Sequence, residues 1–116
     1  MKFKLIIALV DDHQTESVLH AAREAGATGS TVITGARGEG LKPPKTFLGL
    51  DLAGQRHMVL LVVEEHLSRA ILERIAQECD FDDTPGTGIA FQLDIEDACG
   101  LASQIGTISS EIEDQI

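Results

Sequence analysis

The sequence contains no tryptophan and no tyrosine, and only four phenylalanines in 116 residues. A core must therefore be assembled from aliphatic side chains, and the 43% hydrophobic content is enough for one domain of this length. The scarcity of aromatics also removes the stacking platforms that hold single-stranded nucleic acid. Nine basic residues against nineteen acidic ones leave a net charge of −10, which repels a phosphate backbone. Nucleic acid is not an expected partner. Cysteine is limited to Cys79 and Cys99, without CxxC spacing or companion metal ligands. They read as small buried hydrophobes or free thiols. Of the four histidines, His13 and His20 share a helical segment but stand two turns apart, farther than the i,i+4 spacing of helical metal pairs. No metal site is expected. Neither a Ser-His-Asp order, a nucleophile elbow nor an HExxH run occurs, so no catalytic residue is assigned. No apolar run approaches the ~20 residues of a membrane span. The basic start and apolar run of residues 1–10 lead into Asp11-Asp12 instead of a small-residue cleavage site. A cytoplasmic protein is expected.

What is present is a regular alternation of elements. Lys2 to Val10 is a short aliphatic run that reads as a buried strand. A helix over about Gln14–Ala25 follows, with Val18, Ala21, Ala22 and Ala25 on one side and Gly26 as its stop. Asp12 and Thr15 are its candidate caps. Ala27 to Ala36 is a second strand, rich in β-branched residues at Thr31-Val32-Ile33-Thr34. His57 to Val63 is a third, whose unbroken apolar run implies cover on both faces or a central position in the sheet. Glu64–His66 turns the chain into a helix over Leu67–Cys79, with Ile71, Leu72, Ile75 and Ala76 as its stripe. After the turn Asp80–Gly88, the segment Ile89–Ile95 alternates, with Ile89, Phe91, Leu93 and Ile95 on one face and Gln92 and Asp94 on the other. The order βαββαβ predicts an α+β, ferredoxin-like domain over residues 1–100: a four-stranded antiparallel sheet with both helices on one face. Residues 101–116 are an acidic tail. The second sheet face then needs cover, and association with further copies in closed symmetry supplies it.

Between the second and third strands lies a long flexible loop, about residues 36–55, that shows neither helical nor strand period. It carries the pair Pro43-Pro44 and several glycines. With Arg56 at its exit it also holds four of the nine basic residues: Arg37, Lys42, Lys45 and Arg56. Structureless loops beyond ~12–15 residues in compact domains are uncommon unless they are functional or disordered. Phe47 and Leu48, apolar in such a segment, are candidate anchors for a protein partner together with Lys42 and Lys45.

These features together resemble the nitrogen-regulatory PII signalling proteins. Gly26-Ala27-Thr28-Gly29-Ser30-Thr31-Val32 is similar to the family's entry into its second strand. The long loop stands where the family has its T-loop. Thr84-Pro85-Gly86-Thr87-Gly88-Ile89-Ala90-Phe91 is similar to its B-loop and following strand. The resemblance covers about residues 2–100. It implies a homotrimer with inward-facing sheets, an adenine nucleotide in the cleft between subunits, and a T-loop that reports the bound state to a protein target, in some relatives a membrane transporter. Position by position, it places Gly29, Ser30 and Thr31 on the adenine side. Thr84, Pro85, Gly86, Thr87 and Gly88 wrap the nucleotide from the other subunit, and Arg37, Gly38 and Arg56 lie toward the phosphates.

The departures are as informative. The family's B-loop commonly ends in a lysine, where this chain has Ile89, and its basic segment after the last strand is here Ala98-Cys99-Gly100-Leu101. A charge-assisted contact to phosphate contributes roughly 1.5–3 kcal/mol, so losing two or three lowers ATP affinity by several powers of ten. AMP or ADP is therefore the expected ligand over ATP. The absence of tyrosine excludes the family's tyrosine uridylylation. The alternatives are an interaction module of the same fold that ignores nucleotides, or a metal-handling trimer.

Overall fold

The computed structural model describes residues 2–36, 46–47, 50–51, 56–84 and 88–100. Strand β1 (Phe3–Asp11) passes through a 3-10 turn (Asp12–Gln14) into helix α1 (Thr15–Glu24). Strand β2 (Thr31–Ala36), two short strands β3 (Thr46–Phe47) and β4 (Leu50–Asp51), and strand β5 (Arg56–Glu64) follow. Helix α2 (Glu65–Glu78) and strand β6 (Gly88–Asp94) complete the order. The main sheet runs β2-β5-β1-β6, each neighbour antiparallel, which is the ferredoxin-like α+β topology expected from the element order. The loop expected to lack periodicity contains one short ladder, pairing Thr46 with Asp51 and Phe47 with Leu50.

Alternation along the strands decides which side of the sheet is dry. Ile6, Ala8 and Val10 of β1 and Val59, Leu61 and Val63 of β5 form one buried cluster with Val18, Ala21 and Ala22 of α1 and Ile71 and Ile75 of α2. Both helices therefore cover the same face. Each fully buried aliphatic side chain there contributes roughly 1.5–3 kcal/mol.

The other face is also apolar. Register places Val62, Leu5 and Leu93 in one row across β5, β1 and β6, and Leu60, Ile7 and Phe91 in the next. No described helix packs on it, and Val62, Leu93 and Ile33 are 44%, 47% and 45% exposed. The continuous apolar run of β5 implied cover on both sides or a central position, and β5 is an interior strand between β2 and β1. Within one chain it is buried on alternate residues only. In β6 the alternation runs opposite to a core-facing strand. Ile89, Phe91 and Leu93 lie on the open face, while Gln92, opposite Ile6 in register, lies on the helix side with its Oε1 buried and unbonded among the described residues.

The element boundaries correct several sequence expectations. Neither candidate caps α1. Asp12 opens the 3-10 turn, Gln14 is the N-cap without a side-chain bond, and the Thr15 hydroxyl is bonded to His57 Nδ1 at 2.6 Å. Helix α2 starts directly at Glu65 instead of after a turn at residues 64–66, because the Glu64 carboxylate accepts from the His66 N–H at 2.8 Å and so caps it. Strand β2 begins at Thr31, not Ala27, since the Ala27 N–H still serves the end of α1 by bonding to Ala22 O at 2.9 Å. At the other end of β2 the register with β5 shifts between Ile33 and Ala36, where Gly35 takes φ +71°. That left-handed residue accommodates the extra residue of a bulge.

Candidate functional site

Four strand ends meet at one margin of the sheet. Asp11, the last residue of β1, pairs in register with Arg56, the first of β5. Arg56 pairs on its other side with Ala36, the last of β2, and Val10 pairs with both His57 and Gly88. The two glycine-containing stretches, 37–55 and 84–88, are thereby rooted at the same end of the molecule.

Arg56 is only 4% exposed. Its Nη1 donates to Asp11 Oδ1 in a close ion pair, and its Nε is buried with no hydrogen-bond partner among the described residues. Arg56 is therefore not a solvated charge at a strand entry: the side chain is held inward. A buried guanidinium is tolerated only when paired, and Asp11 supplies the pair. Next to it the His57–Thr15 hydrogen bond ties β5 to the first turn of α1.

The second stretch is held at both ends. Thr84 donates from Oγ1 to Asp80 Oδ2 at 2.5 Å, and its N–H bonds to Asp80 O at 3.1 Å. Gly88 stands at the end of this stretch, where a turn glycine often needs positive φ. It does not take positive φ. A Cβ there would lie 2.5 Å from the Phe81 ring and 2.9 Å from Val10 Cγ1, so close packing requires the glycine. Beside it a cleft of about 240 Å³ opens between α2 and β6, floored by Leu72, Ala76, Phe81 and Ala90, with the Arg69–Glu73 pair at its rim.

Gly29, Ser30 and Thr31 are exposed and sit at β2, with Thr31 opposite Leu60. Strand β2 is one edge of the sheet and β6 the other. Three interstrand spacings of about 4.8 Å separate those edges, about 14 Å in all. One chain therefore does not bring Gly29–Thr31 together with Gly88. Phe47 lies in β3. Arg37, Gly38, Lys42, Lys45, Leu48, Pro85, Gly86 and Thr87 lie outside the described residues.

The shifted titrations lie away from this margin. At the far end of the sheet the Lys4 ammonium, hydrogen-bonded to Asp94 at 2.7 Å, holds the Asp94 carboxyl below its ordinary value, and Asp94 in turn raises Lys4. In the core, burial and then the Glu78 charge push the Cys79 thiol up to about 11. Both cysteines are free, Cys79 buried and Cys99 exposed. Among the described residues no group of three His, Cys, Asp or Glu could hold a metal ion, and no helix is long and apolar enough to cross a membrane.

Sequence reading missed Asp11, Asp80 and Phe81 as parts of this margin. Asp11 is 45 residues from Arg56, and only strand register joins them. Asp80 did carry a signal: it directly follows the last turn of a helix, where glycine is the usual residue.

Comparison with known proteins supplies a wider frame. The sequence profile "Nitrogen regulatory protein P-II" matches residues 3–103. No curated protein matches the chain. Among solved structures, a PII-like signalling protein from Thermus thermophilus is 24% identical, with 82% of this chain and 88% of that one covered and a TM-score of 0.61. CPII from Thiomonas intermedia, bound to ADP, AMP and acetate, is 18% identical over 86% of this chain and 92% of its own, at a TM-score of 0.63. The same protein bound to ADP, AMP and bicarbonate is 19% identical over 85% and 96%, at a TM-score of 0.60. At these identities the likeness is one of fold.

Proposed function

The chain belongs to the nitrogen regulatory protein P-II family, and from that premise we propose that it is a regulatory, non-catalytic homotrimer. In this reading an adenine nucleotide sits between subunits and controls a protein target, a transporter or a metabolic enzyme, through residues 36–55. The observation that carries the reading is the position of the two half-sites. Gly29–Thr31 stand at one edge of the sheet and Gly88, four residues after Thr84, at the other, so in this reading a complete site forms only where the edge of one copy meets the opposite edge of the next. The open apolar face, with Val62 and Leu93 nearly half exposed, supports the same assembly. Burying it between copies returns about 25 cal/mol for each Å² removed from water. The ADP and AMP in the CPII structures support the choice of nucleotide.

Preference for AMP or ADP over ATP follows from charge. Ile89 and Ala98–Leu101 stand where relatives carry cations, and the Arg56 charge is already compensated by Asp11. The Arg56 Nε retains one donor for a phosphate oxygen. Bound nucleotide shifts the 36–55 segment only by its differential affinity for the segment's states, and Lys42, Lys45, Phe47 and Leu48 are the contacts offered to the target.

Calorimetry and thermal shift with AMP, ADP and ATP test this reading on the wild type, Arg56→Ala and Ile89→Lys. We expect AMP and ADP to bind the wild type more tightly than ATP. Arg56→Ala should weaken ADP, and Ile89→Lys should raise ATP affinity about tenfold, the worth of one charged phosphate contact. Tight ATP binding without response to AMP or ADP rejects the preference. Absence of any shift selects the nucleotide-independent interaction module, which the missing cations favour as the second reading.

A further inference from the structure

The two helices end in the same hydrogen-bond pattern, but with different residues at its critical position. After α1, the Gly26 N–H bonds to Arg23 O at 3.1 Å and the Ala27 N–H to Ala22 O at 2.9 Å, with Gly26 at φ +112°. After α2, the Asp80 N–H bonds to Gln77 O at 3.3 Å and the Phe81 N–H to Ala76 O at 3.1 Å, with Asp80 at φ +56°. Both are Schellman closures, in which the left-handed residue is usually glycine. An L side chain there crowds the following carbonyl, although aspartate bears it better than most residues. Asp80 is the one non-glycine residue at positive φ among those described.

What aspartate adds over glycine is a carboxylate, and it is engaged. Asp80 Oδ2 accepts from Thr84 Oγ1 at 2.5 Å, beside the backbone bond from the Thr84 N–H. The next residue reaches the other end of the same stretch: the Phe81 ring occupies the space a Cβ at Gly88 would need, against Val10. Two consecutive residues at the end of α2 thus hold Thr84 and Gly88 on opposite sides.

We propose that Asp80 and Phe81 are positioning residues for nucleotide binding: the Asp80 carboxylate sets Thr84, and the Phe81 ring sets Gly88. The inference rests on the nucleotide reading given above. It explains why a less comfortable residue stands where glycine suffices for the helix end.

Asp80→Gly separates the two roles, because glycine suits the left-handed position and removes only the carboxylate. We expect its unligated melting temperature to equal or exceed that of wild type, while its affinity for AMP and ADP falls about tenfold, the loss of a hydrogen bond to a charged group. The amides of Thr84 and Gly88 should exchange faster with deuterium in the ligand-free variant. Asp80→Asn keeps an acceptor oxygen and tolerates the same backbone, and should bind nucleotide close to wild type. Phe81→Leu should speed exchange at Gly88 and leave Thr84 protected. Wild-type affinity and exchange in Asp80→Gly overturn the inference and leave the nucleotide reading standing. A large drop in its melting temperature also overturns it, by making Asp80 a fold residue. A wild-type protein that binds no adenine nucleotide removes both.

Discussion

The two faces of the main sheet are built from nearly the same residues and end in different surroundings. On the helix side, β1 and β5 present Ile6, Ala8, Val10, Val59, Leu61 and Val63, none more than 4% exposed. On the other side the same strands present Leu5, Ile7, Leu9, Met58, Leu60 and Val62, and Val62 is 44% exposed. An apolar strand face states only that water is to be excluded, not what excludes it. Two amphipathic helices of the same chain cover the first face. Nothing described in the same chain covers the second, and the assembly proposed above would bury it between copies.

The contrast can be broken from either side. The largest effect is expected on the covered face. Ile71 is fully buried between α2 and the sheet, and Ile71→Ala should cost about 3–4 kcal/mol through lost transfer energy and a residual cavity. Urea denaturation should show an earlier midpoint at unchanged slope. A cost below about 1 kcal/mol means that the helices do not close the core as described.

A charge on the open face should do the reverse. Val62→Asp is expected to leave the far-UV circular dichroism of the subunit native-like and to reduce the mass seen by light scattering to that of one chain, because an unpaired carboxylate cannot be buried in an apolar contact. An assembly that survives Val62→Asp places the contact between copies elsewhere.

The smallest expected effect concerns the thiols. Cys79 belongs to the covered core and Cys99 does not. A thiol reagent should therefore modify Cys99 at once and Cys79 only on unfolding. Because the folded Cys79 thiol is raised to about 11, an unfolded thiol near about 8.5 loses its proton first as pH rises. The unfolded state then binds fewer protons, so stability is intact below about pH 8.5 and declines up to about 11. Cys79→Ala should flatten that alkaline decline while lowering stability at neutral pH. An equal decline in the variant assigns it to other groups.

Much of the fold was legible in the residues. Aliphatic and β-branched runs mark β1, β2 and β5, and the spacing of Ile71 and Ile75 marks the inner face of α2, because local period reports which atoms must leave water. The orientation of β6 was not legible. Alternation separates Phe91 from Gln92 without saying which faces the helices, and register across three strands settled it. Hydrogen-bond partners were equally hidden. Thr15 is a plausible cap by position, but its hydroxyl goes to His57, 42 residues away. The candidate site divides the same way. Gly29–Thr31 and Thr84–Gly88 were visible as motifs, whereas the compensation of Arg56 by Asp11 depended on two strands lying side by side.

By itself, then, the order of residues determined the succession of elements, the aliphatic character of the core, the scarcity of cations, and the family resemblance. These are properties of composition and of contacts along the chain. The folded arrangement alone decided which sheet face the helices take, that Arg56 is held inward by Asp11, that Phe81 needs Gly88 to be a glycine, and that Thr31 and Gly88 stand on opposite edges of the sheet. Each of those depends on groups distant in the chain being brought into contact, and strand register and helix packing are what bring them there.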